Sequence, residues 1–190
     1  MKTIAFVTRV HPKRPKMLKV CIKSIKAQTD DDYIHIIHRH DKTKDGYGGV
    51  SANRSLKYVY PIDARYVMVL DDDDMLIDPD FVKTFKEVVD KDGPEIVFFK
   101  GKVLGKKMLP TEQTWRKFPS RGSIASFCFA VRLDVWEKYI SYFGGRGRRG
   151  GDFYFLSYCY RGTKKHIWLN RIVAQTQKKA GKAKGEHEHP

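Results

Sequence analysis

The chain has 190 residues, 41% of them hydrophobic and 13% aromatic, which excludes a disordered protein and suits one domain with a substantial core. Its 37 Lys and Arg against 22 Asp and Glu give a net charge of +15, a field that favours anionic partners: nucleotides, nucleic acid, anionic lipid or an acidic glycan. Cys21, Cys128 and Cys159 are odd in number, far apart and set among apolar residues, which excludes a zinc spacing or a disulfide framework and points to buried thiols in a reducing compartment. Met1-Lys2-Thr3 leads straight into an apolar strand without a signal-peptide core, and no stretch reaches the length of a membrane span. The expected location is cytoplasmic, with contact to a membrane surface through basic residues left open.

In chain order, Ile4-Ala5-Phe6-Val7 marks a buried first strand over 3–10. The prolines of His11-Pro12-Lys13-Arg14-Pro15 separate it from an amphipathic helix over 16–28, with Leu18, Cys21, Ile22 and Ile25 on one face. Tyr33 to His38 reads as a second strand that closes on Arg39-His40-Asp41. Asp45-Gly46-Tyr47-Gly48-Gly49 reads as a flexible loop, after which Ser51 can cap a helix carrying Ala52, Leu56, Val59 and Tyr60. Tyr66-Val67-Met68-Val69-Leu70 is a buried strand that stops on Asp71-Asp72-Asp73-Asp74. Asp78-Pro79 supplies an N-cap and first position for a helix with Phe81, Val82, Phe85, Val88 and Val89 inside. Asp92-Gly93-Pro94 ends it, and Ile96-Val97-Phe98-Phe99 is a further buried strand.

This β-α-β-α-β-α-β alternation predicts an α/β fold with a mostly parallel sheet covered on both faces. The second half changes character. A hairpin is expected over 102–110 around Gly105-Lys106, a strand through Phe127-Cys128-Phe129 within 122–132, and a helix over 134–143. The segment 144–151 holds five glycines and three arginines (Arg146, Arg148, Arg149) and reads as a mobile cationic loop. A helix over 152–160 and a short strand over 166–169 follow, and the Lys-, Gly- and His-rich tail over 176–190 reads as disordered by itself.

The aspartate run is the feature with chemistry in it. Adjacent like charges repel, a cost that a bound cation relieves, and hard ions such as Mg2+ and Mn2+ take oxygen ligands. The run also follows a strand, and in open α/β sheets ligands bind beyond the carboxyl ends of strands. A solvated acidic loop is the plainer alternative, with Asp74 capping the next turn and Asp72 facing solvent.

An ordered set of strings across residues 3–175 resembles the family-2-like glycosyltransferases of GT-A fold. Arg14-Pro15 precedes a helix ending Ser24-Ile25-Lys26-Ala27-Gln28-Thr29, similar to the family's "S-I-x-x-Q-T". Gly49-Val50-Ser51-Ala52-Asn53-Arg54 resembles its glycine-led helix start near the donor, and Leu70-Asp71-Asp72-Asp73-Asp74 its "L-D-x-D-D". Gly151-Asp152 stands where the family has Glu-Asp.

The resemblance implies a Rossmann-like nucleotide-sugar-binding half over 1–101, an acceptor-side half over 102–175, and a metal-dependent, inverting transfer of a sugar from a nucleoside diphosphate sugar. It places Thr8, Arg9, Val10, Arg14, Asp41, Asn53, Arg54, Asp71 and Asp72 at the nucleotide sugar, Asp73 with Asp71 on Mn2+ or Mg2+, and Asp152 as catalytic base. Asp41 would accept a hydrogen bond from the N–H of uracil or another imide-bearing base. Two positions depart from the pattern: Gly151 replaces the glutamate, and the first strand ends on Thr8-Arg9-Val10 rather than small polar residues. Trp115, beside Arg116 and Lys117, is a candidate for sugar stacking. His166 reads as structural, while His187 and His189, with Lys178, Lys179, Lys182 and Lys184, read as a solvated tail. The alternative class is a non-catalytic nucleic-acid-binding protein on a nucleotide-binding fold, favoured by the charge but lacking a nucleic-acid motif. A nucleotidyltransferase or phosphohydrolase is a third. The acceptor stays open: a glycan, nucleic acid or a membrane-surface molecule.

Overall fold

Six consecutive buried residues, Thr3 to Thr8, make β1 (Lys2–Arg9) a strand covered on both faces. A computed structural model of the protein describes residues 1–39, 53–103, 107–143 and 150–177. After β1 come α1 (Pro15–Lys26), β2 (Tyr33–His38), β3 (Ala64–Val69), β4 (Asp74–Leu76), α2 (Phe81–Asp92), β5 (Ile96–Val103), β6 (Lys107–Leu109), β7 (Phe129–Arg132), α3 (Leu133–Tyr139), α4 (Gly151–Gly162) and β8 (His166–Thr176). The strands form one sheet in the order β2-β1-β3-β7-β5-β8-β4, with β6 paired to β5.

The longest ladders are parallel: β1 with β2, β1 with β3, and β5 with β8. Shorter antiparallel pairings join β7 to β3 and β5, β4 to β8, and β6 to β5 as the expected hairpin. β7 therefore wedges between β3 and β5, with Val131 opposite both Val67 and Ile96. The alternation read along the first half does not reveal this, because β7 comes from the second half.

Helices cover both faces, as the continuous apolar runs of β1, β3 and β5 require. On one face Phe81 of α2 lies 5.0 Å from Phe99, and Phe85 lies 5.2 Å from Tyr66. On the other, Phe155 of α4 meets Phe129 and Trp136. α2 ends where Gly93 takes φ +54 and returns its N–H to the Val89 carbonyl at 2.9 Å. The three cysteines are buried and form no disulfide, matching the reading of buried thiols.

Four boundaries differ from expectation. α2 begins at Phe81, because the Asp78 carboxylate is held by Arg171 at 2.6 and 2.8 Å and accepts the Asp80 N–H inside a turn. The helix after Ser51 is, in its described part, one turn running into a 3-10 turn at Leu56–Tyr58, and it ends before the exposed Tyr60. The strand sought over 122–132 is a 3-10 turn at Ser126–Cys128 followed by the short β7. β8 runs eleven residues rather than four.

Candidate active site

Parallel pairing sets the ends of β1 and β3 side by side: Val7 lies opposite Val69, and the Leu70 N–H donates to the Val7 carbonyl at 3.0 Å. The next residues out, Arg9 and Asp71, meet as a two-pronged ion pair. Arg9 Nε donates to Asp71 Oδ1 at 2.5 Å and Nη2 donates to Oδ2, while the guanidinium carbon sits 5.4 Å from the centre of the Phe143 ring. The chain then turns, Asp74 N–H to Asp71 carbonyl at 3.0 Å, and re-enters the sheet as β4 against the end of β8.

This turn sorts the four aspartates. Asp71, Asp73 and Asp74 each offer a carboxylate oxygen within 4.8 Å of the others. Asp72 points inward at 1% exposure, accepting the His11 N–H at 2.6 Å and Arg14 Nη1 at 3.3 Å. Arg14 Nη1 also pairs with Asp73 Oδ2 at 2.7 Å. Gln177, just past β8, ties the turn down: its N–H donates to the Asp73 carbonyl at 2.8 Å, and its Nε2 donates to the carbonyls of Met17, Asp72 and Asp74.

Across a cleft of about 300 Å³ stands Asp152, in the first turn of α4 behind Gly150 (φ +95). Its Oδ1 accepts the Phe153 N–H at 2.9 Å. Asn53, Ser126, Phe127 and Phe143 complete the nearby wall, and Asn53 Oδ1 is buried with no hydrogen-bond partner among the described residues. At Gly151 an added Cβ would lie 1.9 Å from the Phe143 carbonyl oxygen and 2.5 Å from Asn53 Nδ2. No side chain fits there, so the glutamate of the resembled family is excluded by the packing of this helix start, and the Asn53 amide fills the space.

The cleft is electrostatically costly. Burial, with the charges of Asp71 and Asp73, holds the Asp74 carboxyl well above its ordinary range. Burial and Asp71 raise Asp73. Burial raises Asp152, against the pull of the Phe153 N–H and Arg9. Burial pushes Asp72 up to about 6. Three clustered, mutually repelling carboxylates are the donor set that Mg2+ or Mn2+ takes, so these residues fit a divalent ion.

The structure thus brings Arg9, Asn53, Asp71, Asp73 and Asp152 to one cleft. Several expectations need correction. Thr8 is fully buried on the opposite face of β1, its Oγ1 2.8 Å from His35 Nε2, and its side chain cannot reach a ligand. Asp72 does not face solvent, and it is not among the residues that line the cleft. Arg14 braces Asp72 and Asp73, Val10 gives its N–H to the His38 carbonyl, and Arg54 is exposed and outside the cleft lining. Trp115 packs edge-on to Trp168 at 5.0 Å under Lys100, also outside the lining. His166 is structural, 2.7 Å from Thr163 Oγ1. Asp41, Ser51, Arg146, Arg148, Arg149 and residues 178–190 fall outside the described residues, whereas Thr176 and Gln177, expected in the disordered tail, end β8 and brace the turn. Asp74 as a third carboxylate and Gln177 as the brace were not foreseen. The buried Asp74 and Leu76, two apart in β4, are the signal that marks Asp74 as inward.

No protein-family model and no curated protein matches the sequence. Solved structures do. S. aureus TarS 1-349 in complex with UDP superposes with a TM-score of 0.69 at 15% identity, covering 93% of this chain and 60% of that one. Its complex with UDP-GlcNAc gives 0.67 at 14% identity, covering 95% and 60%. A glycosyltransferase involved in glycosylation of the major capsid of PBCV-1 gives 0.58 at 9% identity, covering 92% and 93%. The chain spans about 60% of the length of TarS 1-349. At these identities the likeness is one of fold, and the fold is that of the GT-A-like glycosyltransferases.

Proposed function

We propose that the protein is a metal-dependent, inverting glycosyltransferase that moves a sugar from a nucleoside diphosphate sugar, with uridine as the favoured nucleoside, to an acceptor hydroxyl. The observation that carries this reading is the pairing of an acidic, cation-ready cluster on one wall of the cleft with a buried carboxylate, Asp152, on the other. The fold is shared with structures solved around UDP and UDP-GlcNAc.

Asp71 and Asp73, with Asp74, would hold Mn2+ or Mg2+. The bound ion supplies charge neutralisation for the departing diphosphate. Asp152 takes the proton of the acceptor hydroxyl as its oxygen attacks the anomeric carbon. The new C–O bond forms while the bond to the diphosphate oxygen breaks, and the electron pair leaves with the diphosphate. One displacement inverts the anomeric centre. Burial suits Asp152 to this task, since a carboxylate with a raised pKa is the stronger base. Asn53 Oδ1 offers an acceptor to a sugar hydroxyl, and Asp41 is assigned to the base. The positive field of the +15 chain favours an anionic acceptor. Among the described residues no helix is long and apolar enough to cross a membrane.

The test is calorimetric titration of nucleoside diphosphates and nucleotide sugars, with and without Mn2+, on wild type and Asp73→Ala. Metal-dependent binding of one diphosphate, lost in the variant, supports the reading and names the base. Absence of nucleotide binding, with tight salt-sensitive binding of DNA or RNA, replaces it by the nucleic-acid-binding class.

A further inference from the structure

Among the described residues the cleft wall carries one cation, Arg9, beside Asp71, Asp73, Asp74 and Asp152. Arg9 is committed in a particular way: its fork covers both oxygens of Asp71, a carboxylate that the proposed ion also needs. It also lies within electrostatic reach of Asp74 and Asp152. We propose that Arg9 is a displaceable internal counter-cation, which pairs with Asp71 and passes to the donor's diphosphate when ion and donor bind together. The proposal rests on the glycosyltransferase reading for the identity of that anion.

The physical argument is one of charge and shape. A guanidinium fork matches a carboxylate and a phosphate equally well, so transfer between them keeps two charge-assisted hydrogen bonds. A divalent ion arriving among Asp71, Asp73 and Asp74 repels Arg9, and in an otherwise acidic cleft the incoming diphosphate is the anion free to receive it. The face of Phe143 gives the guanidinium a flat support at the same depth while it changes partner. Arg14 acts differently, since it braces Asp73 against the buried Asp72 beneath the turn. Arg9 is therefore a positioning residue toward the ion and a binding residue toward the diphosphate. Metal and diphosphate each remove an obstacle to the other, which makes their binding mutually cooperative.

The signature is opposite in sign for the two ligands, which a merely structural role cannot give. Mn2+ alone, followed by the paramagnetic resonance of free ion, and inorganic pyrophosphate, followed by calorimetry in saturating Mn2+, are titrated into wild type, Arg9→Met and Arg9→Lys. R9M should bind Mn2+ alone about fivefold or more tighter. It should bind pyrophosphate about tenfold or more weaker. R9K keeps the charge without the fork, so its Mn2+ affinity should stay at the wild-type value while pyrophosphate binding falls. If R9M does not fold, R9K alone decides by that contrast. Mn2+ binding that weakens or stays unchanged in a folded R9M, or that weakens in R9K, overturns the proposal with the site reading intact. A wild-type protein that binds neither Mn2+ nor pyrophosphate overturns the glycosyltransferase reading itself.

Discussion

At Gly151 a single methyl group would strike the Phe143 carbonyl and the Asn53 amide, and a backbone carbonyl has little room to yield. Gly151→Ala should cost about 1–3 kcal/mol of stability, read from urea unfolding, because the start of α4 must shift. Gly151→Glu, which writes the resembled family's residue back in, should do worse rather than restore anything. One residue on stands Asp152, the base of the proposed reaction. Asp152→Asn keeps the shape and removes the base, so turnover should fall about 10²–10⁴-fold while Mn2+-dependent diphosphate binding persists. Burial raises the pKa of Asp152, so the carboxylate takes up its proton at a higher pH than an exposed aspartate does. The base works only when ionised. The kcat/KM of wild type should thus decline as pH drops through that raised pKa, and the residual activity of D152N should lack this limb. A limb that survives in D152N assigns the base elsewhere.

Among the elements, β8 does most to hold the site together. It reaches past β5 to pair with β4, and Gln177 at its end binds three carbonyls of the neighbouring turns. Gln177→Ala leaves those buried acceptors short and should cost about 1–3 kcal/mol, with weaker Mn2+ binding as the turn loosens. A variant that loses stability yet binds Mn2+ normally would separate the brace from the site. In β2, His35 meets Thr8 of β1, with its Nε2 2.8 Å from Thr8 Oγ1. Burial, with the Lys26 charge, lowers the His35 pKa to about 4. Since the unfolded chain takes up that proton near pH 6.5 and the folded one does not until about 4, stability should fall between those values, by on the order of 3 kcal/mol. His35→Gln should flatten that part of the pH profile. The elements that were legible share one property, a local pattern. β1, β3 and β5 are continuous apolar runs, and α1 repeats its apolar residues at helical spacing. In β8 Asn170 and Arg171 interrupt the apolar run and hide the strand's full length, although Arg171 is spent on Asp78. The site was legible as a set of residues at strand ends, but not in its orientations. Thr8 could have been placed inside from its alternation with Phe6; the fate of Asp72 was decided by the turn's backbone, which no pattern in four identical residues records.

For the molecule as a whole, the charge of +15 and the acidic cleft pull in opposite directions. The basic field draws anions toward the protein, and the carboxylates at the cleft turn them away until a cation intervenes. The free energy of folding should carry the same conflict. Asp74 is buried, and its neighbours Asp71 and Asp73 raise its pKa well above the ordinary range, so keeping it ionised opposes folding without metal. Asp74→Asn should therefore raise the melting temperature in EDTA. Mn2+ acts by linkage on the wild type: at a hundred times its Kd it should add about 2.7 kcal/mol, or roughly 5–10 °C for a chain of this size. D74N should gain little of this, so the two proteins should exchange their order of stability when EDTA is replaced by Mn2+. Thermal melts of both under both conditions check it. If D74N melts lower than wild type in EDTA, the carboxylate is already compensated inside the protein and the argument from repulsion fails. If the order does exchange, the cleft has given up stability for the capacity to bind an ion, the trade expected where a fold keeps a functional site.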